Sequence, residues 1–253
     1  GHTWCSEKIL RAAISNNIYE CCNKVDWLLE NNDFLHIDNG RIGLKYYYDI
    51  EMQIYHLILN KSQIETTINI SDEAIDKAIK HAEEEQGFDY VVEQLDTIHK
   101  SLHRTVSLIT GKAGTGKTSI MRAIVKAYME NNYMMTASAL SAMAAQRITE
   151  ATEFPAMTIH RTLGCQGLND FTYNKDNHLI TDVAFLDEGS MVNASLFLHW
   201  LEAIGDNTRI IISGDHKQLP PIGFGNVFSD LIEMFDESVV SKLVKPMRQA
   251  EQS

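Results

Sequence analysis

The sequence predicts an α/β fold: a domain built on a parallel sheet, carrying a small β-hairpin insertion and preceded by a small helical, winged-helix-like module. Three observations predict it. Short, nearly continuous apolar runs alternate with helical patterns after residue 100, as in a parallel sheet buried on both faces. A glycine-rich loop stands between one such run and a helix. The first sixty residues read as helices followed by a hairpin.

Taken in order, Ile9, Leu10, Ala13 and Ile14 fall at helical spacing, and Val25, Trp27, Leu28 and Leu29 lead to the break Asn31-Asn32-Asp33. Phe34–Ile37 and Arg41–Leu44 read as strands around Asp38-Asn39-Gly40, because Asn-Gly tolerates the positive φ of a tight hairpin. DNA contact and scaffolding are both open roles for such a unit. An amphipathic helix follows over Asp49–Leu59. Residues 71–85 form a charge-rich helix opened by Ser71 as N-cap, with acids in its first turn and Glu83-Glu84-Glu85 on a solvated face. The expected division is a module over 1–68, a helical connector over 69–88 and the P-loop domain over 89–253. Its strands are expected at Val106–Thr110, Tyr133–Ser138, Val183–Leu186 and Arg209–Ser213, with the inserted hairpin at about 164–181 and a polar tip at Asn174-Lys175-Asp176-Asn177.

Hydrophobic residues make up 44% and charged residues 22%, an ordinary globular balance. No apolar run reaches the roughly 20 residues of a membrane helix and no signal pattern opens the chain, so a cytoplasmic location is expected. Cys5, Cys21, Cys22 and Cys165 form no CxxC pair and no zinc spacing, so reduced thiols and no structural metal are expected. The net charge of −12 is uneven, −9 over residues 1–100 and −3 over residues 101–253. A polyanion would therefore have to meet a local basic or neutral groove in the second part.

Gly111-Lys112-Ala113-Gly114-Thr115-Gly116-Lys117-Thr118 satisfies G-x4-G-K-[ST] between the strand Val106–Thr110 and a helix beginning at Ser119. Its glycines let backbone N–H groups and the helix N-terminus face the phosphates of ATP; Lys117 would neutralise the β- and γ-phosphates and Thr118 would bind Mg²⁺. Gly111, Ala113, Gly114, Thr115, Gly116, Lys117, Thr118 and Ser119 are the candidate nucleotide cradle. Val183–Leu186 ends in Asp187-Glu188, placing Asp187 near the metal and Glu188 beside the γ-phosphate, where it could polarise a water. ATP hydrolysis is the expected chemistry. A small-molecule kinase and a nucleotide-gated, non-catalytic scaffold are the rivals.

Gly214-Asp215-His216-Lys217-Gln218-Leu219-Pro220-Pro221 follows the strand Arg209–Ser213, and with it the sequence resembles superfamily 1 DNA helicases, whose third motif reads G-D-x-x-Q-L-P-P. Asp187–Val192 looks like D-E-A-S-M-V of the RecD-like 5′→3′ branch, with Gly189 for Ala, and Thr158–Gly164 resembles its T-I-H-R-L-L-G. Ala139–Ala145 occupies the A-P-T-G-R-A-A slot, with Met143 where the basic residue would stand. The resemblance implies a RecA-like domain in which Gln218 senses the γ-phosphate, Arg248 reaches it across the cleft to a second RecA-like domain, and Gln94 reads adenine. It further implies that Ser141, Thr158 and His160 meet DNA. Taken alone, Gln94 reads equally as a solvent-facing helix residue, and His160 as a core or capping histidine. Single-stranded and duplex DNA, the second motor domain, and nuclease or repair proteins are the implied partners. The hairpin near Phe171–Ile180 would be the wedge that splits the duplex, and the chain is expected to be a fragment of a longer protein.

Overall fold

The computed structural model describes residues 3–17, 25–31, 33–167, 170–218 and 220–245. The apolar runs become strands of one six-stranded, all-parallel sheet, β4 (Val106–Gly111), β5 (Met135–Ala139), β6 (Ala156–Thr158), β9 (Val183–Asp187), β10 (Arg209–Gly214) and β11 (Val240–Leu243). Their order across the sheet is β11-β4-β10-β9-β5-β6. The four expected strands are present within two residues, and β6 and β11 are additions at the two edges. The expectation missed them for a physical reason: β6 is a three-residue Ala-Met-Thr strand behind Pro155, and β11 carries exposed Lys242 among its apolar positions.

Ahead of the sheet, β1 (Trp4–Ser6), α1 (Glu7–Asn17), α2 (Val25–Glu30), β2 (Leu35–Asp38) and β3 (Arg41–Leu44) form an antiparallel sheet in the order β1-β3-β2, with two helices between its first and second strands. That topology suits a winged-helix-like unit. The hairpin turn is Asn39-Gly40, both at positive φ (47° and 73°), as the sequence requires. Strand β1 was not foreseen; three residues carry too little periodicity. Of the cysteines, Cys21 and Cys22 lie outside the described residues, and Cys5 and Cys165 are free thiols.

Packing carries helices from ahead of β4 onto both faces of the large sheet. Helix α3 (Lys45–Ser62) buries Ile50, Ile54 and Ile58 against Leu108, Phe197 and Trp200, so it belongs to the core on one face of the large sheet. Helices α4 (Asp72–Gln86) and α5 (Val92–His103) bury Ile75, Ile79, Ile98 and Leu102 with Ile124 and Phe185 in the core on the other face, together with α6 (Lys117–Glu130). Ser71 caps α4 as expected, accepting from the Ala74 N–H at 3.3 Å. Helix α4 is therefore packed into a layer on the large sheet. Amphipathicity reveals that a helix has a core-facing side but not which core it faces.

Buried charges bind these layers. Lys61, at the end of α3, donates to the carbonyls of Gly205, Asp206 and Thr208 at 2.6, 3.0 and 3.1 Å, pinning the loop that enters β10. Burial pushes its ammonium down to about 8. Arg209, only 2% exposed, donates to the carbonyls of Leu102 and Ile68, to Thr66 and to the Tyr128 hydroxyl.

The insertion between β6 and β9 begins with the short helix α8 (Ile159–Thr162). Strand β7 (Cys165–Gly167) then pairs with β8 (Asp170–Phe171), a shorter hairpin than the one expected. Asn174-Lys175-Asp176-Asn177 is a separate closed turn, its two asparagines exchanging backbone bonds at 3.0 and 3.2 Å. Beyond it Leu179 N–H donates to Ala203 O at 2.8 Å, so the chain is tied down onto the domain. Phe171 is buried and packs 5.1 Å from the His199 ring. An anchored Phe171 makes it a foot of this insertion rather than its tip.

Candidate nucleotide-binding site

At the carboxyl end of β4 the backbone loops through residues 112–116 and enters α6. Gly116 caps the helix at φ 87°, and a Cβ at Gly111 would lie 2.5 Å from Thr115 Oγ1 and 2.9 Å from Leu243 O. Thr115 is buried and closes the loop by donating its hydroxyl to Lys112 O at 2.8 Å. The Lys117 ammonium folds back over this loop, donating to Gly111 O at 2.5 Å and Lys112 O at 3.2 Å. Burial pulls its pKa below the ordinary lysine value, while Asp215, Asp187 and Glu188 push it back up.

Those three carboxylates come from the neighbouring strands. Because β10 pairs with both β4 and β9, the loops after all three strands open on one edge. Asp187 ends β9 and accepts from the Ser213 hydroxyl of β10, which fixes its orientation. Glu188 sits in the left-handed region at φ 55°, turning the chain sharply after the strand. Its carboxyl is raised above the usual range by burial and by Asp187, against the pull of Arg147 and Lys117. After β10, Gln218 N–H donates to Asp215 O at 3.0 Å and Lys217 N–H to the Asp215 carboxylate at 3.0 Å, forming a compact turn. His216 Nδ1 lies 2.7 Å from Thr110 Oγ1, tying that turn to β4.

The structure thus brings Lys117, Asp187, Glu188 and the turn ending in Gln218 to one place. Ala113 and Gly114 in the loop and Thr118 in the first turn of α6 are exposed, where helix N–H groups and Lys117 face an incoming anion. Ser119 differs in use: its hydroxyl donates to Gln86 at 2.7 Å. Gln94 is 2% exposed, so its solvent-facing reading fails. Its amide donates to Thr115 O at 3.3 Å and accepts from Val91 N–H at 3.1 Å, which braces the loop from below. Arg248 lies outside the described residues.

Ser141, Thr158 and His160 gather on the flank of the same edge, since Ala139 of β5 is in register with Thr158 of β6 and Asp187 of β9. Ser141 caps α7 (Ala142–Thr152), accepting from Ala144 N–H at 3.1 Å, and Thr158 caps α8, accepting from Arg161 N–H at 3.3 Å. His160 is exposed, which removes its core reading. Sequence reasoning gave no role to Ser213, Asp215, Tyr90 or Arg147. Asp215 stood inside the G-D-x-x-Q-L-P-P octet and could have been found. Tyr90, whose hydroxyl donates to Ser119 O at 2.8 Å, and Arg147 had no local signal.

The donor set suits a divalent ion and a polyphosphate: a hydroxyl on the first helical turn, a carboxylate oriented by Ser213, and a lysine among backbone amides. Strand order and loop together define a RecA-like P-loop nucleotide-binding fold. The chain belongs to the AAA domain family, whose sequence model matches residues 89–253. It is similar to the RecBCD enzyme subunit RecD of Buchnera aphidicola subsp. Schizaphis graminum, 27% identical over 86% of this chain and 41% of that one. It is also similar to the ATP-dependent RecD2 DNA helicase of Deinococcus radiodurans, 33% identical over 69% of this chain and 23% of the relative. The chain therefore spans well under half of either relative. A crystal structure of Pif1 helicase from Candida albicans is 25% identical, with a TM-score of 0.45 over 63% of this chain and 41% of that one. The sequence matches bear out the RecD-like resemblance read from the motifs. No helix among the described residues is long and apolar enough to cross a membrane.

Proposed function

We propose that the chain is the first motor domain, with its N-terminal module, of a cytoplasmic ATP-dependent DNA helicase that moves 5′→3′ on single-stranded DNA and unwinds duplex. The observation that carries this reading is the shared edge of β4, β10 and β9. Lys117, the Asp187–Glu188 pair and the Asp215–Gln218 turn stand together at that edge, with Ser141, Thr158 and His160 on its flank.

In this reading ATP replaces the Gly111 and Lys112 carbonyls as partner of Lys117, and Thr118 and Asp187 would hold Mg²⁺, which supplies charge neutralisation at the phosphates. Ser213 keeps Asp187 oriented. Glu188, its carboxyl raised by burial, takes a proton from the attacking water. Gln218, held through Asp215 and the His216–Thr110 contact, carries the presence or loss of the γ-phosphate toward the flank where DNA would lie. Arg248 completes the charge at closure against a second RecA-like domain, and nuclease or repair proteins would act on the unwound strands.

The test is phosphate release with and without single-stranded DNA, on this chain and on a chain extended through a second motor domain. DNA stimulation in the extended chain, lost in Lys117→Ala, is expected. Brisk hydrolysis indifferent to DNA would overturn the helicase reading in favour of a kinase or a protein-gated switch.

A further inference from the structure

Far from the P-loop edge, α4 and α5 bring two residue pairs face to face. His99 and His103 stand one helical turn apart on α5, and Asp72 and Asp76 one turn apart at the start of α4. Asp72 Oδ1 lies 2.9 Å from His103 Nε2 and 3.8 Å from His99 Nδ1. One ligand atom from each of Asp72, His99 and His103 falls within 4.8 Å of the others, the one such trio among the described residues. The second nitrogen of His99, Nε2, lies 3.1 Å from Asp76 Oδ1.

From this geometry we infer a divalent-metal site of the zinc class, with Asp72, His99 and His103 as ligands and Asp76 as the residue that orients His99. Four-coordinate zinc with bonds of about 2.0–2.2 Å sets its donors roughly 3.3–3.6 Å apart, inside the range these atoms span. Two imidazoles and one carboxylate favour zinc or its transition-metal neighbours, whereas calcium and magnesium prefer all-oxygen shells. A ligating histidine needs a partner on its far nitrogen to fix which nitrogen faces the metal. Asp76 stands where it gives His99 Nε2 that partner, leaving Nδ1 for the ion. Ordinary histidine–aspartate ion pairing needs no such division of labour between two carboxylates. Asp72 and His103 are exposed and His99 half-buried, so an ion enters from solvent and water fills the fourth position.

The ion would staple the first turn of α4 to the last turn of α5, whose final residue stands three positions before β4 begins. Cysteine spacing, on which the absence of a structural metal was expected, is blind to this site, because it holds no cysteine and Asp72, 31 positions before His103, meets the two histidines only through helix packing.

The experiment strips the protein with chelator, without nucleotide, and titrates Zn²⁺ by calorimetry and Co²⁺ by visible absorption, with the unfolding midpoint read in parallel. One equivalent bound, a four-coordinate cobalt spectrum and a raised midpoint are expected, all lost in His99→Ala/His103→Ala. Asp76→Asn should weaken binding about 10–100-fold without abolishing it, as loss of an orienting partner does. His81→Ala, a surface change elsewhere on α4, should leave binding intact; circular dichroism verifies that each variant is folded. Unchanged zinc binding in the double variant would overturn the proposal. So would the absence of any one-equivalent binding, or a stabilisation that follows histidine protonation at low pH and ignores metal.

Discussion

Lys117 is poised between two sets of partners, carbonyls of its own loop and the phosphates of a nucleotide. Lys117→Ala should weaken nucleotide binding at least about tenfold, since a charge-assisted hydrogen bond contributes roughly 1.5–3 kcal/mol; titration with a fluorescent ATP analogue measures it. Glu188→Gln should bind nucleotide as the parent does and lose about 10²–10⁴-fold in turnover, the usual yield of a positioned base. Phosphate release in a complete enzyme checks this, and brisk turnover would remove Glu188 from that role. A different carboxyl reports on stability. Asp230 lines a cavity of about 740 Å³ between the N-terminal module and α10 (Val227–Met234). Desolvation there, with Glu51 and Glu233 nearby, pushes its carboxyl up to about 6 from 3.8. A raised folded-state value means the folded protein holds that proton more tightly than the unfolded chain does. Asp230 therefore favours folding below about pH 4, and this contribution is lost as pH rises through 6. Asp230→Asn should raise the unfolding midpoint at pH 7.5 and change it little at pH 4.

Individual elements were legible in proportion to how local their causes are. The Asn39-Gly40 turn, the Ser71 cap and the strand–loop–helix at Val106–Val125 are each written within a dozen residues, and each stands where the sequence placed it. Strands β1, β6 and β11 are too short or too mixed to announce themselves, and they exist because a neighbouring strand offers its edge. The phosphate loop was readable, but its bracing by Gln94 and Tyr90 was not, because those contacts depend on α5 and its approach packing beneath α6. Arg209 shows the same limit. In sequence it opens an apolar strand as an ordinary polar residue, yet folded it joins β10 to the end of α5 and to the segment before α4. Arg209→Leu should strand the buried Leu102 and Ile68 carbonyls and destabilise the protein by about 1–3 kcal/mol for each acceptor left unpaired. Chemical denaturation with an unchanged slope would measure it, and a loss below 1 kcal/mol would mean the carbonyls find other partners.

Across the whole molecule, the central strand of the site finds its partners far along the sequence. β4, which carries the phosphate loop, pairs with β10 and β11, whose first residues lie about a hundred positions and more downstream. During synthesis the loop precedes its neighbours by about a hundred residues and has no adjacent strand until Arg209–Gly214 has left the ribosome. Until then Val106, Leu108 and Ile109 remain an apolar ribbon with both edges open, the condition in which nascent chains associate wrongly. Chains released before residue 209 should therefore fail to protect the loop from protease when ATP is added, whereas chains released after residue 243 should protect it. Nucleotide recognition in this protein thus waits on the two downstream strands that close the sheet around β4.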